Sequence, residues 1–425
     1  MNDSFKRVQS RGYSGLAKVL TVLALLLTAA TGAWAQTETY TVRMKKGTKD
    51  ADKWTVTPAE ATTTGVAKDT PVSLTYGGRL KVKDVTAKFA PIDLSQVTED
   101  TRIEDGYTIT GTLNGQTQPY KITIAEDATV TLDNVTINGV NNKSYKWAGL
   151  TCEGSATIIL KDGSTNTVKG FYENYPGILV PSGSTLIIKG EAAGTGALTA
   201  SPFDGGGNQS FGAGIGGGYV SDCGNIEIQG GNITATGGKY AAGIGSGKRS
   251  CGTITISGGN ITATGGDLAA GIGAGKEGAC AGITISGGTI TATGGDWAAG
   301  IGSGFNGASC GDITISGGTI TATGGNEAAG IGSGLSSGFP GEPISSCGDI
   351  SITTGVTKVT ATKGDLANNS IGAGEGSKCG KVTIGCTLDG GGNPVGGKVY
   401  WDGLVYQNDG GTYLTQATII YEPSN

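Results

Sequence analysis

Ile254 and Ile256 alternate with Thr253 and Thr255, and a few residues later Ile261 and Ala263 alternate with Thr262 and Thr264. Period-two alternation of β-branched residues predicts short strands with one buried and one solvated face. Gly-Gly pairs at 258–259 and 265–266 end each run and predict turns there. A third segment, "AAGIGAG" from Ala269 to Gly275, is too short and too glycine-rich for a helix.

This three-part pattern repeats. Copies open at Cys223, Cys251, Cys280 and Cys310, drifting ones at Cys347 and Cys379, and weaker ones near Ala128, Ala156 and Ser184. That makes about eight or nine units, the mark of a repeat architecture. One unit cannot stand alone: three or four buried aliphatic side chains supply ~5–10 kcal/mol, while ordering about 25 residues costs several times that. Stacking supplies the difference by pairing each strand with its copy above and below. The expected fold is a parallel β-solenoid of three faces per coil, with rungs ~4.8 Å apart. Ile254, Ile283, Ile313 and Ile350 then form one inward column, Ala263, Ala292, Ala322 and Ala361 a second, and Ile244, Ile272, Ile301 and Ile331 a third.

The run "ITISGGTITATGG…AGIGSG" resembles the right-handed parallel β-helix domains of exported bacterial proteins in the pectate-lyase-like superfamily. Some members of that group are classed as carbohydrate-binding rather than catalytic. The resemblance covers residues 107–388 and implies an all-β, right-handed parallel β-helix. It bears on architecture more than on activity, because one fold hosts many functions.

The flanks differ in composition. Lys6, Arg7, Arg11 and Lys18 precede an apolar run from Val19 to Ala30, and Ala33 and Ala35 stand where a signal peptidase needs small residues. Residues 1–35 are therefore expected to be a signal peptide, followed by no membrane span. Residues 36–91 read as a small β domain of four or five strands, similar to modules repeated in surface proteins of Gram-negative gut anaerobes. The acidic stretch 92–106 reads as a linker. Residues 389–425 gather Tyr400, Trp401, Tyr406, Tyr413 and Tyr421 and read as an aromatic cap on the last coil.

Composition narrows the chemistry. The chain has no His, 80 Gly and a net charge of −5, with its basic cluster in the leader. The commonest general base and zinc ligand are therefore missing, and an acidic chain without a basic block is no nucleic-acid binder. Strings such as Gly273–Gly278 satisfy G-x-G-x-x-G but follow the repeat, with no helix after them, so no dinucleotide site is expected. Six of the eight Cys share one repeat position. Their spacing fits no zinc pattern. In-register neighbours ~4.8 Å apart exceed the usual disulfide Cβ separation of ~3.8 Å, so mostly free, packed thiols are expected, with some disulfides.

Two columns carry candidate chemistry. Asp267, Asp296, Asn326 and Asp365 follow "TATGG". Asp267, Asp296 and Asp365 form an oxygen-only set of the kind calcium takes, against the plainer reading of turn aspartates bonding their own backbone. The next position holds Tyr240, Leu268, Trp297, Glu327 and Leu366. There Tyr240 and Trp297, two rungs apart with Asp267 and Asp296 beside them, would stack on sugar rings. The variable loop before each Cys is where partner-specific contacts are expected. Outward Thr columns resemble ice-binding faces, or are simply good solvent-facing strand residues. The combined expectation is an exported, non-catalytic surface protein that binds extracellular polysaccharide. An adhesin or structural protein with a surface-protein partner comes second, and a polysaccharide lyase or glycoside hydrolase third.

Overall fold

The computed structural model describes residues 91–204, 210–338, 340–407 and 409–423, and before them 39–40, 54–57, 59, 66–67, 72–76 and 79–85. The expected leader, residues 1–35, lies outside the described residues. The chain divides into two compact units, Met1–Ala90 and Pro91–Asn425. In the first, Thr39–Tyr40 pairs antiparallel with Val66–Ala67. Trp54–Thr57, Val72–Tyr76 and Arg79–Val85 make a three-stranded antiparallel sheet.

The second unit is a right-handed parallel β-helix. One coil shows the plan. Ser250–Ile256 forms the first wall, Asn260–Thr264 the second, and the two-residue strand Ile272–Gly273 the third. Each strand pairs in parallel with its copy in the next coil. Ile254 aligns with Ile283, Ile313 and Ile350. Ala263 aligns with Ala292, Ala322 and Ala361. Ile244 aligns with Ile272, Ile301, Ile331 and Ile371. All three columns are buried and meet in one continuous core. The outward residues alternate as the pleat requires, leaving Thr262, Thr291 and Thr321 exposed in one file.

The third wall is a ten-stranded sheet running from Thr101–Ile103 to Ile371–Gly372. That is more coils than the eight or nine repeats visible in the sequence. The stretch 92–106, expected as a linker, is instead part of the first coil. Ile92–Asp93 pairs with Ile109 and Thr110, and Thr101–Ile103 pairs with Ile122–Ile124. Leu94 and Ile103 are its inward anchors, both fully buried, and the intervening carboxylates stay outside. At the far end the chain reverses. Lys398–Asp402 runs antiparallel to the last first-wall strand, Lys381–Leu388, and Thr418–Tyr421 runs antiparallel to Lys358–Thr362. Leu414 and Ile419 bury themselves there, and Tyr400 stacks on Tyr413 at 4.6 Å. This cap covers strand edges that would otherwise invite another chain.

The small residues of the third wall are there because coils approach closely. A Cβ added at Gly300 would lie 2.7 Å from Thr323 N and 2.8 Å from Gly330 O, both backbone atoms. At Gly273, φ is +132° and an added Cβ would stand 2.0 Å from the Gly302 carbonyl oxygen, so backbone conformation and space both demand glycine. Gly300→Val is therefore expected to cost at least ~3 kcal/mol, since neither neighbouring coil can retreat without breaking its ladder. Urea unfolding of the full chain checks this. An unchanged midpoint would mean that the segment behaves as a spacer.

Candidate functional site

From Ile178–Leu179 to Ile371–Gly372 each third-wall strand is only two residues long, so the corners on either side of it lie close together. The corner after the second wall is stacked in register by backbone hydrogen bonds. Leu268 N donates to Lys239 O at 3.1 Å, Trp297 N to Asp267 O at 3.3 Å, and Leu366 N to Asn326 O at 2.9 Å. The corner before each Cys then bonds back to the preceding coil. Lys276 N donates to Tyr240 O at 2.9 Å, Phe305 N to Leu268 O at 3.1 Å, and Leu335 N to Trp297 O at 2.9 Å. Two files of side chains therefore run side by side along the solenoid axis. One is Phe211, Tyr240, Leu268, Trp297, Glu327 and Leu366. The other is Tyr219, Lys248, Lys276, Phe305, Leu335 and Glu375.

The two expected sugar-stacking residues differ in setting. Tyr240 is half-buried. Phe211 stacks on it with ring centroids 5.0 Å apart and planes 19° from parallel, and Lys276 Nζ stands 5.1 Å from its ring centroid. Tyr219 completes the cluster, with Lys248 Nζ 5.5 Å from its ring. Trp297 keeps 38% of its surface exposed. Phe305 holds it from one side, at 5.0 Å and 45°. Leu268, between Tyr240 and Trp297 in the file, is buried. Phe211 extends the repeat column that holds Tyr240 and Trp297 one coil earlier, whereas Tyr219 and Phe305 are not evident from it. The signal for Tyr219 and Phe305 is their place in the variable loop before each Cys.

Charges at the same corner are paired. Glu277 bridges Lys248 at 2.9 Å and Lys276 at 3.1 Å. Burial by itself would push its carboxyl up, but hydrogen bonds from the two lysines outweigh burial and hold it below its ordinary value. Its φ is 56°, and the equivalent Asn306 sits at 52°. A left-handed backbone at a residue with a full side chain costs of order 1 kcal/mol and tends to mark functional sites. The longest loop folds back over this corner: Asn306 Nδ2 donates to Glu342 Oε2 at 2.9 Å, and Ser337 Oγ donates to Asn306 Oδ1 at 3.1 Å.

Asp267, Asp296 and Asp365 stand exposed in their file, in line rather than convergent. Among the described residues no group of three or more Cys, Asp or Glu is gathered so as to hold a metal ion. The calcium reading gains no geometry from this arrangement. The cysteines are buried. Burial pushes the Cys152 thiol up to about 12, which removes its nucleophilic form near neutrality. Cys310 is raised well above the ordinary thiol range, first by its hydrogen bond to Cys280 and then by burial. Among the described residues no helix is long and apolar enough to cross a membrane.

A family model described as a beta helix repeat matches residues 226–248, 254–276, 283–305 and 313–335. Each match begins at an inward isoleucine of the first wall and ends at Lys248, Lys276, Phe305 or Leu335, in the second file of the strip. No curated protein and no solved structure matches the chain.

The Glu277 pairs are partly exposed, so Glu277→Gln is expected to cost less than ~1 kcal/mol at pH 7 after solvent screening. A carboxyl held below its unfolded pKa of ~4.3 contributes stability above that value, and the contribution is lost as pH falls through the folded pKa. Wild type and variant should therefore converge in acid. A gap in chemical-denaturation midpoint that persists at pH 3 would place the effect elsewhere.

Proposed function

We propose that this parallel β-helix protein is an exported, non-catalytic carbohydrate-binding protein that meets extracellular polysaccharide on the strip over its third wall. The observation that carries the reading is Trp297, exposed on a file of side chains held in register by the backbone ladder. An indole presents a flat apolar face to the C–H face of a sugar ring. Phe305 behind it fixes the ring plane, so little side-chain freedom is lost when a ligand docks. The exposed carboxylates nearest in register, Asp267 and Asp296, supply partners for sugar hydroxyls. Tyr240 acts from beneath rather than as a second open platform, because Phe211 and Lys276 already occupy its ring.

The full chain should therefore bind immobilised polysaccharides on a glycan array. Trp297→Ala should weaken the best ligand about tenfold or more, or ~1.4 kcal/mol, with no change in melting temperature. Thr262→Ala, exposed on the second wall outside the strip, should leave binding intact. Absence of binding to every polysaccharide would overturn the proposal. New ultraviolet absorbance from polygalacturonate would replace it with lyase chemistry.

A further inference from the structure

Six cysteines stack at one corner of the solenoid. Cys251, Cys280, Cys310, Cys347 and Cys379 align in successive coils through the strand register. Cys223, one coil earlier, is bonded to Cys251 as a disulfide with Cα atoms 4.4 Å apart. All six are nearly buried, at 3–7% exposure.

We infer that the whole column closes in pairs, Cys223–Cys251, Cys280–Cys310 and Cys347–Cys379, so that three lateral disulfides tie six successive coils two by two. The argument is one of reach and parity. Partners two rungs apart are separated by ~9.6 Å, beyond the ~7 Å limit for Cα atoms joined by a disulfide, so only adjacent coils can pair. Cys223 ends the column and takes Cys251. Cys280 is then left with Cys310 alone, and Cys347 with Cys379. In the structure Cys280, Cys310, Cys347 and Cys379 are free thiols in this register, with Cys280 Sγ donating to Gly252 O at 3.7 Å and Cys379 Sγ to Gly348 O at 3.8 Å. The longest loop, residues 335–346, enters between Cys310 and Cys347, at the boundary between two pairs.

A regular rung spacing of ~4.8 Å falls inside the Cα range of disulfides but leaves Cβ atoms about 1 Å too far apart. The corner supplies the adjustment. Ser309–Cys310, Ser346–Cys347 and Lys378–Cys379 are two-residue strands, each separated from the main strand of its wall. The rung can therefore lean at the cysteine without disturbing Ile313, Ile350 or Val382.

The oxidant is a small-molecule disulfide such as oxidised glutathione. One cysteine, as thiolate, attacks a sulfur of that disulfide, forming a mixed disulfide and expelling one glutathione thiolate. The neighbouring cysteine, also as thiolate, attacks the protein-side sulfur and expels the second. The two protons lost by the cysteines end on the two released thiols, and the oxidant is reduced by two electrons. Because the thiols are buried in the finished stack, exchange takes place as the coils assemble.

The test is to refold the full chain from denaturant in a mixture of oxidised and reduced glutathione. Remaining thiols are then trapped with N-ethylmaleimide in denaturant, and the cross-linked peptides are mapped by mass spectrometry. The expected result is three links, 223–251, 280–310 and 347–379, with Cys152 and Cys386 trapped as thiols. In Cys280→Ser, Cys310 should be trapped while 347–379 persists. Trapping of Cys280, Cys310, Cys347 and Cys379 in the wild type would overturn the inference. So would a 251–280 link in the wild type, or a 310–347 link in either protein. If the variant does not fold, the wild-type map decides alone.

Discussion

The backbone ladder of the third wall is the constraint on which the other features depend. Ile272 N donates to Gly300 O, Ile301 N to Gly330 O and Ile331 N to Ser370 O, each at 3.0 Å. From Ile215 to Ile331 only one inward isoleucine per coil stands on this wall, flanked by alanine and glycine. The wall is therefore thin in apolar area, and backbone hydrogen bonds and close approach must hold it. A side chain added at Gly271 or Gly300 would meet the backbone of the next coil. The coils from Ile215 to Ile331 thus carry the same small residues here, because each is the neighbour that limits the next. The low-complexity appearance of the segment is the signature of close packing.

The same shortness creates the candidate binding strip. A longer third wall would hold its two corners apart. Two residues of strand bring Trp297 of one corner against Phe305 of the other, and Tyr240 against Lys276. The first and second walls show solvent mainly short threonines and turn glycines, whereas the corners carry the large and charged side chains. Loop length varies at the corner before each Cys, where insertions disturb no strand register. Variation, exposed aromatic surface and a left-handed backbone at Glu277 therefore coincide in one place.

Much of this was legible in the sequence, for definite reasons. Columns such as Ile254, Ile283, Ile313 and Ile350 follow from period-two alternation plus a repeat, and the register of the ladder is set by those two facts alone. The first coil was not legible. Glu99, Asp100, Glu104 and Asp105 give residues 92–106 a solvated composition, while only Leu94 and Ile103 reveal that the stretch anchors a coil. Tyr240 and Trp297 could be placed on one face from register, but not their exposure. That depends on Phe211, stacked one coil earlier in the same file, and on Tyr219 and Phe305, which meet them only across the third wall. One disulfide, Cys223–Cys251, beside six buried free thiols agrees with the expectation of mostly free, packed thiols with some disulfides. Cys223 lies outside the regular strand Asn225–Ile228, so ideal rung spacing does not govern it.

The central claim is that the glycine- and alanine-rich segments are hydrogen-bonded walls of the solenoid. Hydrogen exchange followed by mass spectrometry on the full chain tests it most directly, in peptides spanning 269–274 and 298–303. The account predicts protection comparable to that of the second-wall strands Asn260–Thr264 and Thr289–Thr293. Exchange at the rate of an unstructured chain in those peptides, with the second-wall strands still protected, would contradict it.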